Sequence, residues 1–177
     1  NLGLASRVAS HTSIGGPHRG SVIADIIMGI IPNSLESLVG GALELVMGIV
    51  MGDVNGDAVQ NGYDLTRSYM QNVFNPNTPN VSGIYYQSWA SSVTNPVAAG
   101  LLAVTWAVML PLEGANDGLV AVTSARWGNY RGIIQSSWWY GGVNHIAQCL
   151  PLLSSAPGYD ASDFFIDVVS ELKDMGY

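Results

Sequence analysis

Asn116-Asp117-Gly118-Leu119-Val120, followed downstream by Asn144-His145, is the pair of segments on which the reading of this chain turns. Asn-Asp-Gly is turn chemistry, because Asn and Asp side chains bond backbone two residues on and glycine accepts positive φ. A carboxylate on the turn-rich stretch from Glu113 to Gly118, leading into Leu119-Val120-Ala121-Val122, can reach a histidine on the following loop. Gly141-Gly142 gives that loop freedom, and Trp138-Trp139-Tyr140 places apolar bulk beside His145. Asp117 and His145 therefore read as the acid and base of a catalytic triad. A plain Asx turn is the competing account of Asp117, and Glu113 is an alternative acid that lacks the Asn-x-Gly setting.

A triad also needs a nucleophile. In α/β-hydrolases it sits in a Gly-x-Ser-x-Gly strand-to-helix elbow, in the order nucleophile, acid, histidine along the chain. No such pentapeptide is present. The nearest approach, His11-Thr12-Ser13-Ile14-Gly15, lacks the first glycine, and Val8 to Ile14 reads as a buried strand ended by the turn signal Gly15-Gly16-Pro17. Directly after it, His18 and Arg19 read as loop residues that brace neighbouring backbone, with substrate contact as the alternative.

Four segments in register carry a family resemblance: Val8 to Ser21, Ile84-Tyr85-Tyr86-Gln87-Ser88-Trp89, Asn116 to Val120 and Asn144-His145. Together they resemble the secreted triacylglycerol lipases of the Burkholderia and Pseudomonas type and their fungal relatives. The resemblance implies an α/β fold: the C-terminal part of a single α/β-hydrolase domain over residues 1–177, with an inserted helical lid at about residues 25–75. It implies hydrolysis of acylglycerol esters at an oil–water interface, with Asp117 and His145 catalytic. It places Asn1 shortly after the nucleophile helix, so a complementary N-terminal segment would carry the serine and the oxyanion loop, and the chain alone would be catalytically incomplete. The bacterial members hold a calcium ion near the histidine loop, and the matching positions here are Asn95 and Ala147, so both anionic ligands are gone. The expectation is no cofactor, with Asn95 bonding backbone near Ala147 in place of the metal. The opposing reading is a catalytically inactive hydrolase-like or calcium-stabilised binding module.

Composition fits one globular domain: 177 residues, 48% hydrophobic and 11% charged, with 21 glycines for tight turns. A net charge of −7 disfavours nucleic acid and anionic membranes as partners but not a neutral lipid. The longest uncharged stretch, Ser68 to Leu112, is interrupted by Asn and Pro, and its apolar part from Val97 to Leu110 is shorter than a bilayer requires. No transmembrane segment is expected. The spacing predicts instead a helix over Pro96 to Leu110, buried on every side.

Ser34 to Met51 carries apolar residues at helical spacing on a weakly polar, glycine-containing background, as a lid that trades water for lipid would. Asp53-Val54-Asn55-Gly56-Asp57, with Asp64 at the twelfth position, has an EF-hand-like pattern, but Ala58 stands where the sharp turn wants glycine. Cys149 is the only cysteine and reads as a small buried residue near a helix start. Asn80-Val81-Ser82 is a glycosylation sequon in an Asn/Pro turn, which favours secretion. Phe164, Phe165, Val168, Val169 and Leu172 predict a closing helix within Asp160 to Gly176.

Overall fold

Three short strands pair side by side, β1 (Ser10–Ile14), β2 (Tyr85–Ala90) and β3 (Asn129–Ile133), in the order β1-β2-β3 and all parallel. Parallel neighbours cannot be joined by a hairpin, so each link is a long crossover. Residues 15–84 form the first crossover and 91–128 the second, both containing helices, which makes this a partial α/β fold. The computed structural model describes residues 3, 5–31, 39, 41, 62–150 and 152–177. The expected lid helix, apart from Val39 and Gly41, and the Asp53–Asp64 loop, apart from Gly62, Tyr63 and Asp64, lie outside the described residues.

The first strand starts at Ser10 rather than Val8, because Ala5–Arg7 forms a 3-10 turn ahead of it. The third strand, Asn129-Tyr130-Arg131-Gly132-Ile133, has no apolar alternation to announce it and exists through pairing. Its register with β2 shifts between Ser88 and Trp89, and there the Ser88 hydroxyl donates to Trp127 O at 2.7 Å and accepts from Trp127 N at 2.8 Å. One buried hydroxyl thus ties the entry of β3 to the irregularity in β2.

The main core lies beside the sheet. Helix α1 (Val22–Ile27), capped by the Ser21 hydroxyl accepting from Ile23 N, packs Val22, Ile23 and Ile26 against Val108 and Met109, together with Val39 and Ala121. After the undescribed stretch, α2 (Arg67–Tyr69) returns to the same place. Arg67 Nε donates to Asp25 Oδ2 at 2.5 Å and its backbone N–H to Asp25 Oδ1 at 3.0 Å, with Glu113 Oε1 3.6 Å from the guanidinium. Glu113, the alternative acid, is therefore engaged here; burial raises its pKa from the ordinary value, against the lowering pull of the Val22 N–H and Arg67. Asp25 is buried while Arg67 is about a third exposed, so solvent screens part of the pair. Asp25→Ala is expected to cost about 2 kcal/mol, a fall in Tm of roughly 4–8 °C by calorimetry. An unchanged Tm would show that this pair does not pin α1 to α2.

The helix expected over Pro96 to Leu110 differs in two ways. It is broken: α3 (Pro96–Ala99) ends at Gly100, whose φ of 58° lies outside helical space, and a 3-10 turn (Gly100–Leu102) leads into α4 (Ala103–Glu113). It is also only one-sided in its burial. Leu102, Thr105, Trp106, Val108 and Met109 face the protein, whereas Val97, Leu110 and Leu112 are exposed. Pure apolar composition cannot tell a helix covered on one side from one covered all round. By length and composition alone, the 18 residues Pro96–Glu113 could cross a membrane, a weak sign in a helix whose inner face packs on the sheet crossovers.

Two more expectations are corrected. Cys149 is exposed, because the residues after His145 form consecutive turns that direct Gln148 inward and its neighbour outward. The closing helix is present as α5 (Ala161–Asp174), capped by Asp160 accepting from Ser162 N and Asp163 N, and Phe164 meets Trp89 edge-on at 5.3 Å. Of its apolar stripe, however, only Val168 is fully buried, while Phe165 and Val169 face solvent.

Candidate active site

Asn116 builds the turn that presents Asp117. Its buried carboxamide accepts from Gly118 N at 2.9 Å and donates to Gly114 O at 2.9 Å, while Asp117 N donates to Val120 O at 3.1 Å. Gly118 has φ 100°, and a Cβ there would fall 2.5 Å from Leu102 Cβ, so both conformation and space require glycine. The turn is further closed by a bridge between Asn116 and Ala121.

The His145 loop is hung from the carboxyl end of β2. Val93 bridges Gly142, and Thr94 N donates to Gly141 O at 2.8 Å. Asn144 donates to Ala98 O at 2.8 Å and accepts from Ala147 N at 3.0 Å, fastening the loop to α3. Asn95 does brace this loop, but at Tyr140 O (2.9 Å), while its Oδ1 caps α3 through Ala98 N. The backbone near Ala147 is held by Asn144 instead. With Asn95 committed on both sides of its amide and Ala147 bearing no donor atom, these positions do not fit a calcium ion. Activity and Tm are therefore expected to be unchanged by EDTA; a loss on chelation, restored by calcium, would overturn this.

The two loops meet. His145 Nδ1 lies 2.8 Å from Asp117 Oδ2, and His145 N donates to Asp117 O at 3.0 Å. The carboxylate is buried and surrounded by donors: Leu119 N (3.0 Å) and Val120 N (2.8 Å) on Oδ1, and Gln148 Nε2 (2.6 Å) beside His145 on Oδ2. The Ser91 hydroxyl stands 3.4 Å from Oδ2 and accepts from Gln148 Nε2. Ser91 follows β2 directly and Gly15 follows β1, so the cluster occupies the carboxyl ends of parallel strands, where open α/β sheets place ligands. The imidazole is about a third exposed, and among the described residues no hydrogen bond engages its Nε2. Neither Gln148 nor Ser91 was singled out in the sequence. Gln148 lies one turn's distance beyond His145, but nothing in its residue type marks it.

Burial of the His145 ring opposes its charge, but the Asp117 charge and hydrogen bond outweigh this and raise its pKa above 6.5. Because the folded pKa is the raised one, the pair's added stability is present below pH 6.5 and is lost as pH rises through the folded value. His18 behaves oppositely. Burial, then His11 and Arg19, lower it to about 4, so it stays neutral, stacked 4.5 Å over Trp127 with Nε2 2.7 Å from Ser13 Oγ. Its stability contribution is present above pH 6.5 and lost as pH falls through about 4. An NMR titration is expected to separate the two rings in this order, and His145 titrating below 6.5 would contradict the coupling to Asp117.

Arg19 bonds Thr123 O at 2.8 Å and Arg126 O at 2.6 Å, and the Ser124 hydroxyl joins Arg19 N to Gly20 O. These are backbone-bracing contacts. Ser13, inside β1 and bonded to His18, is not on a strand-to-helix elbow.

Fold and site together define a partial α/β fold of the α/β-hydrolase kind, carrying a buried acid hydrogen-bonded to a partly exposed histidine. The chain is 31% identical over 132 residues to triacylglycerol lipase 2 of Saccharomyces cerevisiae, covering 72% of this chain and 35% of that protein. It is 30% identical over 147 residues to a triacylglycerol lipase of Vibrio cholerae, covering 68% of this chain and 45% of that one. The chain thus spans less than half the length of these relatives. A metagenomic carboxyl esterase of known structure superposes with a TM-score of 0.55 at 20% identity, over 81% of this chain and 39% of that one, a likeness of fold. No family model matches.

Proposed function

We propose that this chain is the acid–base part of a serine ester hydrolase that acts on acylglycerols, and that its nucleophile lies on polypeptide outside residues 1–177. The observation that carries the proposal is the contact of Asp117 with His145 Nδ1, which leaves Nε2 directed away from the acid on a partly exposed ring. A serine hydroxyl at Nε2 attacks the ester carbonyl as His145 takes its proton. His145 then returns the proton to the leaving alcohol, and Asp117 holds the tautomer and balances the imidazolium charge. The free edge of β1 is consistent with a further parallel strand there, since within the described residues β1 pairs only with β2.

Similarity to proteins named triacylglycerol lipases supports an acylglycerol substrate. So do the exposed apolar residues on either side of His145 in the sequence, Trp138 at 94% and Leu152 at 98% exposure, on loops tied by Ser137 N to Pro157 O at 2.7 Å and Tyr140 Oη to Ser155 O at 3.2 Å. The segment Ser34 to Met51 is assigned as the lid, and Asn80, exposed in its turn, is consistent with secretion.

The test is to label the full-length protein with a fluorophosphonate and map the adduct by mass spectrometry. A single modified serine outside these residues, lost on His145→Ala, is the expected result. An adduct on Ser13, or none in a protein that hydrolyses esters, would sink the proposal. For the lid, Leu38→Ser with Val46→Ser is expected to depress hydrolysis of emulsified esters more than of dissolved ones; equal effects would remove its basis.

A further inference from the structure

We infer that Gln148 and Ser91 form a positioning pair that fixes Asp117 for His145, so that the strength of the Asp117–His145 bond is set by a neutral amide. The inference rests on the acid–base reading of Asp117 and His145.

Gln148 is almost completely buried, and its Nε2 faces two acceptors at once: Asp117 Oδ2 at 2.6 Å and Ser91 Oγ. An amide nitrogen has two hydrogens, and both are thereby engaged. The acceptor it shares with His145 is the same carboxylate oxygen. The space for this amide is made by β1, because a Cβ on Gly15 would fall 2.2 Å from Gln148 Oε1. At φ 61° that glycine is also in a conformation that side chains disfavour. Strand end, Ser91 and histidine loop therefore converge to hold one side chain that touches no reacting atom.

The consequence is electrostatic as well as geometric. Oδ1 is fixed by two backbone N–H groups, so the carboxyl plane is set from one side by the turn and from the other by Gln148. A donor on Oδ2 also draws electron density from the bond to Nδ1. Removing it makes Asp117 a stronger partner for the imidazolium, and holding the proton on His145 slows its return to the leaving group.

The experiment compares Gln148→Met, near in size but without donors, with the unaltered full-length protein, using kcat, KM, the pH profile and the NMR titration of His145. The expected result is a fall in kcat of about tenfold, from loss of a hydrogen bond to a charged group, with KM unchanged. The acid limb of the profile and the His145 titration both move to higher pH. Ser91→Ala, which frees the amide without touching Asp117's main donors, moves the same readouts less far, and Gln148→Asn with a shorter reach restores none of them. If Gln148→Met folds and only lowers Tm, with kcat and the His145 titration in place, Gln148 is packing alone and the inference fails. Should Gln148→Met not fold, Ser91→Ala decides by the same readouts. Asp117→Asn run in parallel separates the two levels: if it leaves activity intact, the acid–base reading itself has failed.

Discussion

Asp117→Asn in the full-length protein is expected to lower kcat on an acylglycerol by about four orders of magnitude at neutral pH, with little change in KM or Tm. The carboxamide occupies the same volume, and with its single oxygen in the place of Oδ1 it still accepts from Leu119 N and Val120 N and the turn survives. What changes is the atom facing Nδ1. If the amide nitrogen takes that place it can only donate, forcing the proton of neutral His145 onto Nε2, the atom that has to receive the serine proton. If the amide oxygen takes it, Nδ1 keeps its hydrogen but the imidazolium loses its counter-charge. The donating Nε2 of Gln148 at 2.6 Å favours oxygen in that position, whereas Leu119 N and Val120 N favour oxygen on the other side. His145→Ala removes the base altogether and is expected to act at least as strongly. Residual activity within about tenfold of the parent for either variant would refute the catalytic assignment.

How much of this was legible in the sequence follows from where the physics is local. Asn116-Asp117-Gly118 could be read because an Asx turn is encoded by consecutive residues and the glycine requirement at φ 100° is a one-residue property. Ser10–Ile14 was legible as a strand from its pattern and the turn signal behind it, whereas Tyr85–Ala90 is marked only as a segment carrying the family resemblance. Asn129–Ile133 has neither mark, and becomes a strand because β2 offers it an edge and Ser88 fixes its entry. The same limit hid Gln148 and Ser91, 57 positions apart, whose role arises only when β2 and the histidine loop are brought together. It also misplaced Asn95, whose amide chooses among several nearby carbonyls by loop geometry that no spacing encodes. Burial failed in two ways: α4 is apolar nearly all round and α5 carries an apolar stripe, yet both keep apolar residues exposed among the described residues.

Gly142→Ala tests the other half of the site, the hanging of the histidine loop. Gly142 has φ 111°, and a Cβ built there lies 1.9 Å from Ser92 O and 3.2 Å from Val93 Cα. The obstacle is backbone, so no rotamer relieves it. Moving Ser92 O away would break the Val93–Gly142 bridge, and with it the Thr94 N bond to Gly141 O and the Asn95 bond to Tyr140 O next to it. Strain at this φ costs about 1–3 kcal/mol and the displaced contacts a similar amount, so a loss of about 3 kcal/mol and a Tm lower by roughly 6–12 °C are expected. Activity is expected to fall further than stability accounts for at a temperature where the variant is folded. His145 is three residues on, and Asp117 O must still meet His145 N for the ring to face the carboxylate. Leu152→Ser, on an exposed residue of the neighbouring loop, is the control that should leave Tm unchanged. A Gly142→Ala protein with the parent's Tm and activity would mean that the loop does not hang from β2 as described, and that the Asp117–His145 contact is held by other means.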